Sequence, residues 1–280
     1  YNLIKYKSYS FYVFDSLPIP SVYMPPIYPF FLYLIKVITS FEEVNLLYTI
    51  IFIQIILSTY SVYLFYQLNQ NFFSNKLSLI NSAIFSFFPL NVYACGQISS
   101  INLQIIFSLF FLKFLLLLIN KEKLSHIIFF SIVSGLLILT RGEFILFFII
   151  IILFSVLNKK IKLANLAKII IIVSLVISPY VIRNYIHFNQ IMLVKSLGFN
   201  LWKGNNELSL VQGYEDFNNY KFQKLKSRLN NLEKNKYYEI NRDNIFLNEA
   251  KNNLTKNPFR YLNLFFKKIF SFYFVDLNST

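Results

Sequence analysis

The stretch SPYVIRNYIHFNQIMLVKSLGFNLWKGNN, residues 178–206, decides the fold. A long apolar segment runs into Ser178-Pro179 and is expected to end there. Arg183 and Asn184 follow at once, and then a polar loop with Gly198, Trp202, Gly204, Asn205 and Asn206. An apolar run closed by a cation and an amide-rich loop reads as the handover from a membrane-embedded bundle to a water-facing segment. A guanidinium fixed at such a boundary suits a phosphate at the head of a lipid.

Composition agrees. The 280-residue chain is 56% hydrophobic, 19% aromatic and only 14% charged, with a mean hydropathy of +0.50. A water-soluble chain of this length could not hide so much apolar surface. A multi-pass membrane protein can, because lipid solvates its apolar face. The formal charge of +14 is no sign of a nucleic-acid partner, since many of the lysines fall in short loops between apolar runs. Cys95, the single cysteine, excludes an internal disulfide. His126 and His187 are too few and too far apart for a zinc cluster.

Working outward, the apolar runs fall at about 44–66, 77–94, 100–119, 125–140, 143–157, 164–182 and 260–276. Several are shorter than the roughly 20 residues of an upright span. Residues 1–26 carry Pro18, Pro20, Pro25 and Pro26, a density that argues against a helix. Residues 27–40 predict a helix lying at the membrane interface, closed by Glu42 and Glu43. The expected architecture is an all-α, multi-pass helical bundle. Residues 1–43 form an external loop with the interfacial helix, 44–182 a transmembrane bundle of about six helices, 183–259 an external helical subdomain, and 260–280 the start of a further transmembrane helix. In the subdomain, Leu225, Leu229 and Leu232, and then Leu247, Ala250 and Leu254, recur at amphipathic spacing.

Several residues admit a chemical reading and a plainer one. Arg141, in Leu139-Thr140-Arg141-Gly142-Glu143, is either a phosphate clamp or half of an ion pair closing a tight turn. Arg183, with Asn184 beside it, has the same two readings. Tyr23 and Tyr28, in PSVYMPPIYP, are either an aromatic wall for a sugar or lipid or part of a rigid entry into the 27–40 helix. Trp202 and Asn205 sit in a loop that could fold over a substrate; Trp202 alone could equally be an interface anchor. Asp15 could serve as a general base or be an ordinary loop residue. The sequence has no paired acids at catalytic spacing, no dinucleotide fingerprint and no phosphate-binding Gly-Lys-Ser/Thr loop.

Four stretches carry a family likeness: PSVYMPPIYPFF (20–31), FPLNVYACGQISSINLQ (88–104), LTRGEFIL (139–146) and the 178–206 stretch, with a weaker fifth at 249–273. In this order the chain resembles bacterial membrane glycosyltransferases of the GT-C superfamily, the group related to protein O-mannosyltransferases and the lipid A aminoarabinose transferase. The resemblance implies transfer of a sugar from a polyprenyl-phosphate donor to a glycan, lipid or protein acceptor at the outer face of the cytoplasmic membrane. It implies an aspartate base in the first external loop and basic side chains on the lipid phosphate.

The departures matter too. The chain begins at Tyr1 and reads as an internal piece of a longer protein, with the family's base expected before Tyr1 and Asp15 out of place for it. Ser100-Ile101-Asn102-Leu103-Gln104 stands where relatives often have Ser-Glu-Asn-Leu-Gln, and Gly142 where proline is usual. No cofactor is implied with certainty; a divalent cation stays open. Two readings of other classes stand beside the enzyme: a transporter or flippase for lipid-linked glycans, and an inactive envelope scaffold.

Lysines set the expected sidedness. Lys76, Lys121, Lys123, Lys159, Lys160 and Lys162 lie in alternate loops, which places those loops inside and 1–43, 95–99, 141–143 and 183–259 outside, on the extracytoplasmic side. In a background without Cys95, single cysteines at Asn71 and Asn158 should resist a membrane-impermeant thiol reagent in intact cells, whereas cysteines at Gln97 and Asn230 should react. Labelling at position 158 from outside would overturn the arrangement.

Overall fold

The computed structural model describes residues 2–40, 43–216 and 219–273. In chain order its elements begin with one helical turn, α1 (Asn2–Lys5), and a hairpin of β1 (Val13–Phe14) and β2 (Leu17–Pro18). Next come α2 (Ile27–Thr39), α3 (Glu43–Asn69), α4 (Asn75–Ser86), α5 (Pro89–Cys95), α6 (Ile101–Asn120), α7 (Leu124–Thr140), α8 (Phe144–Leu157) and α9 (Leu163–Phe188). The last are α10 (Leu197–Asn205), a 3-10 turn (Tyr220–Phe222), α11 (Gln223–Asn230), α12 (Tyr238–Lys256) and α13 (Pro258–Tyr273). The chain divides into two compact units: Pro25–Tyr185, and Asn2–Met24 together with the segment from Ile186.

The protein is an all-α membrane protein. Among the described residues, Val44–Asn69, Ile101–Asn120 and Leu163–Phe188 are long and apolar enough to cross a membrane, and the α4–α5 pair can serve as a fourth span. The helices of the first unit turn Phe52, Ile84, Ile150, Leu153 and Leu175 outward, a belt that lipid solvates and water would not. Inside, Leu64, Leu68, Leu103, Ile106 and Leu109 join α3 to α6. Phe111 and Phe130, both buried, join α6 to α7 with ring centroids 4.9 Å apart.

Four details correct the sequence reading of the first unit and the segment before it. The 77–94 run is two helices bent by 55°. Pro89 opens α5 and holds Phe88 extended, as a residue before proline prefers. The 164–182 run does not stop at Ser178-Pro179: α9 carries Pro179 inside it and continues to Phe188. Proline removes the donor that the Leu175 carbonyl would receive, and the Ser178 hydroxyl donates to that carbonyl instead, at 3.0 Å. Residues 2–5 form a helical turn ahead of the first proline. Asp15 and Ser16, both at positive φ, make the two-residue connection of the hairpin, a conformation that Asp tolerates.

In the second unit, the expected loop at 198–206 is mostly the helix α10. It crosses α12 so closely that a Cβ on Gly198 would overlap the Asp243 carbonyl. The buried stripe of α12 is Glu239, Ile240, Asp243, Phe246, Ala250 and Asn253. Ala250 is shared with the expected Leu247–Ala250–Leu254 face, but Phe246 and Asn253 take the core places expected of Leu247 and Leu254, which are half-buried, and two acids with internal hydrogen-bond partners join the stripe. Leu232 lies beyond the end of α11. Within the 260–276 run, α13 is two-faced: Tyr261 and Leu264 are buried, whereas Phe259, Leu262, Phe265, Phe266 and Ile269 are exposed.

Helices α7 and α9 run parallel. The Glu122 carboxylate, just before α7, accepts from Asn165 Nδ2 at 2.5 Å and Lys162 N at 3.1 Å, at the start of α9. These bonds hold its carboxyl below the usual carboxylate range, the Asn165 bond contributing most. Further along, a Cβ on Gly135 would stand 2.6 Å from Val176 Cγ1. Gly135→Ala should therefore lower the thermal unfolding midpoint of the detergent-solubilised protein, since overpacking typically costs about 1–3 kcal/mol. Adding Val176→Ala should restore most of the loss. Equal midpoints for Gly135→Ala and the parent would remove the close crossing.

Candidate functional site

One end of the first unit gathers a connected set of polar groups. Gln54 is the only amide between Asn45 and Gln67 in an otherwise lipophilic helix, and it is buried. Its Nε2 donates to the carbonyls of Cys95, at 3.1 Å, and Gln97, at 2.9 Å, while its Oε1 accepts from Tyr28 OH at 3.2 Å. Beyond that turn, Asn102 Nδ2 donates to the Ala94 carbonyl at 3.0 Å. Tyr28 is thus tied through Gln54 to the α5–α6 turn.

The same turn leads to Ser100, whose Oγ lies 3.4 Å from Arg141 Nε. Arg141 caps α7 in extended conformation and pairs with Glu143 at 3.3 Å. The two side chains remain 39% and 65% exposed. The turn-closing ion pair is therefore formed. Such an exposed pair holds its partners by only about 0–1 kcal/mol, so an incoming anion can compete for the guanidinium.

Arg183 lies near the end of α9, where its Nη1 donates to Asn184 Oδ1 at 2.8 Å. Asn184 is fully buried. From the Gly135–Val176 crossing, Arg141 is six residues onward in α7 and Arg183 seven residues onward in the parallel α9. At 1.5 Å per residue these are rises of about 9 and 10.5 Å. Both guanidinium-bearing residues therefore sit at the same end of the bundle and at similar height.

The second unit holds the other sequence-predicted residues. Glu239, buried on α12, accepts from Ser21 Oγ (2.9 Å), Val22 N (2.7 Å) and Tyr23 N (2.9 Å), which fixes the 21–23 segment. Burial raises the Tyr23 phenol pKa, and Arg242 partly offsets this. Trp202 is fully buried, with ring centroids 5.2 Å from Phe222 and 5.0 Å from Phe246. It is a core side chain of this unit. Asn205 donates to the Leu201 carbonyl within α10. Its neighbour Asn206 organises the following loop, bonding the Tyr214 carbonyl and Leu208 N. Asp15 is exposed at the hairpin tip.

The structure thus brings Tyr28, Arg141, Arg183 and Asn184 into the first unit and Tyr23, Trp202, Asn205 and Asp15 into the second. Sequence reasoning missed Gln54 and Glu239. An isolated amide within an apolar run is a legible signal for Gln54; an acid on a polar external helix is not one for Glu239. Among the described residues no group of three His, Cys, Asp or Glu side chains is placed to hold a metal ion.

Residues 24–182 match the family described as dolichyl-phosphate-mannose-protein mannosyltransferase. Comparison with curated proteins and with solved structures gives no match. The matched segment spans more than half of the chain and includes Tyr28, Gln54, Ser100 and Arg141. The chain belongs to the dolichyl-phosphate-mannose-protein mannosyltransferase family and is a membrane glycosyltransferase of the GT-C type.

Proposed function

We propose that the protein moves a sugar from a polyprenyl-phosphate-linked donor to a glycan, lipid or protein acceptor of the cell envelope, at the outer face of the cytoplasmic membrane. The observation that carries this reading is the placement of Arg141 and Arg183 at one end of the parallel helices α7 and α9. In the reaction, an acceptor hydroxyl attacks the anomeric carbon, the bond from that carbon to the phosphate oxygen breaks, and a carboxylate takes the hydroxyl proton. The leaving polyprenyl phosphate gains negative charge as it departs. Two guanidinium groups suit that charge, because each can fork onto two phosphate oxygens.

The other residues take supporting parts in this proposal. Asn184 holds the Arg183 guanidinium by its amide oxygen. Ser100 and Glu143 hold that of Arg141 until phosphate displaces the exposed carboxylate. Tyr28, braced by Gln54, lines the approach. Tyr23, Trp202 and Asn205 shape the external subdomain, which we place on the extracytoplasmic side. The base belongs, by resemblance, to the first external loop.

The test is binding of a polyprenyl phosphate to the protein in nanodiscs of neutral lipid. Arg141→Ala and Arg183→Ala should each weaken it roughly 10- to 100-fold, the equivalent of a lost charge-assisted hydrogen bond of about 1.5–3 kcal/mol. Lysine at either position should recover only part of the loss. Unchanged affinity in both alanine variants would eliminate the clamp and leave Arg141 as a turn-closing residue.

A further inference from the structure

A second polar site lies in the unit that contains α10 to α13. A cleft of about 290 Å³ opens between the α11 segment and α12, close to the lower end of the roughly 300–1,000 Å³ typical of ligand sites. Its floor is apolar: Trp202, Phe222 and Leu225 line it, and all three are buried. One wall carries Lys221, Lys224 and Arg228, and the other carries Lys256. Against these four cations stand two carboxylates, Glu207 and Glu249. Glu249 is engaged by Arg228 at 3.5 Å, which leaves three lysines facing Glu207.

A buried amide completes the site. Asn253 is 6% exposed and lines the cleft. Its side chain makes no hydrogen bond among the described residues, and its amide atoms are not sealed from solvent, so they are open to a ligand in the cleft. Its exposed neighbour Asn252 lines the same wall. Amides donate and accept, as sugar hydroxyls do. The excess of cations matches an acidic substituent. The volume admits one sugar unit and excludes a lipid chain.

We propose that this cleft binds an anion-bearing hexose, the acidic sugar unit of an envelope glycan. The proposal goes beyond the donor clamp: it adds a separate saccharide site and uses neither Arg141 nor Arg183. Phosphate and carboxylate substituents share the required chemistry, and mannose 6-phosphate serves as the probe.

Trp202 is the only tryptophan, so its emission reports on the cleft in the full chain. Titrating mannose 6-phosphate into the protein in neutral nanodiscs should change that emission saturably. Mannose and inorganic phosphate should each bind at least about tenfold more weakly, since each lacks one half of the recognition. Lys224→Gln and Asn253→Leu should each weaken mannose 6-phosphate by a similar factor. Lys251→Gln, on an exposed part of α12 outside the cleft, should leave it unchanged. Thermal unfolding of each variant checks that the unit is intact.

No saturable response to mannose 6-phosphate, or an equal response to inorganic phosphate, would overturn the proposal. So would unchanged affinity in both cleft variants. Polyprenyl phosphate affinity measured on the Lys224→Gln protein keeps the two sites apart. The hexose site predicts it unchanged, and its loss together with mannose 6-phosphate would overturn the separation.

Discussion

In hydrocarbon no water is available to a backbone N–H or C=O, and each one left unpaired costs several kcal/mol. The first unit is shaped by that constraint wherever its helices are interrupted. Pro179 would orphan the Leu175 carbonyl, and the Ser178 hydroxyl takes its place as donor. That single bond lets α9 pass through a proline and carry Arg183 to the end of the bundle on a continuous helix. At Pro89 the Phe85 carbonyl accepts instead from Asn91 Nδ2 at 3.0 Å, from beyond the break, and the helix bends by 55°. The irregular turn that follows is tolerated because Gln54 donates to two of its carbonyls. The residues that heal the backbone are also those that position the polar end of the bundle: Gln54 braces Tyr28, and the turn it secures leads into Ser100 beside Arg141.

The second unit obeys a different rule. It is rich in polar residues and lies over an aromatic core of Trp202, Phe222 and Phe246, so its shape depends on where buried charge is satisfied. Glu239 is sealed from solvent yet surrounded by a hydroxyl and two amide N–H donors from residues 21–23. Asp243, one turn later, accepts from Phe199 N at 2.9 Å. An ionised carboxylate pulled from water is stable only with such donors. The pair therefore fixes α10 and the 21–23 segment on one face of α12. Removing either acid would orphan backbone donors that are distant in sequence.

How much of this was legible depended on whether a signal was periodic or pairwise. The long apolar runs of α3 and α6 announce themselves, and Asn257-Pro258 marks the α12–α13 boundary because proline cannot continue one helix and readily starts the next. The rule that proline ends a helix fails in α9 because it ignores a serine next to the proline. In α10, Gly198 and Gly204 suggest a loop, because glycine gives the backbone freedom. Gly198 is instead a place where another backbone comes too close for a side chain. Trp202 illustrates the same limit: a lone tryptophan among polar residues looks exposed until Phe222 and Phe246, 20 and 44 positions away in the sequence, are seen to enclose it. In the candidate site, the two arginines could be picked out singly as charges at the ends of apolar runs. Their common height could not, because it follows from Glu122 meeting Asn165 and Gly135 meeting Val176.

That common height matters for the proposed chemistry. A polyprenyl-phosphate sugar is a phosphodiester, and the departing polyprenyl phosphate is a monoester that carries more negative charge, between about −1.5 and −2 near neutral pH. Cations that meet both forms gain more from the product side of the reaction, and only such differential binding lowers the barrier. One guanidinium neutralises the diester already present. A second at the same level has no full charge to meet until the bond to the anomeric carbon stretches. In this chain the Arg141 guanidinium is meanwhile occupied by Glu143 through a weak, exposed contact. On the proposed reading the carboxylate gives way to a phosphate, and the turn-closing role and the chemical one would belong to successive states of the same residue.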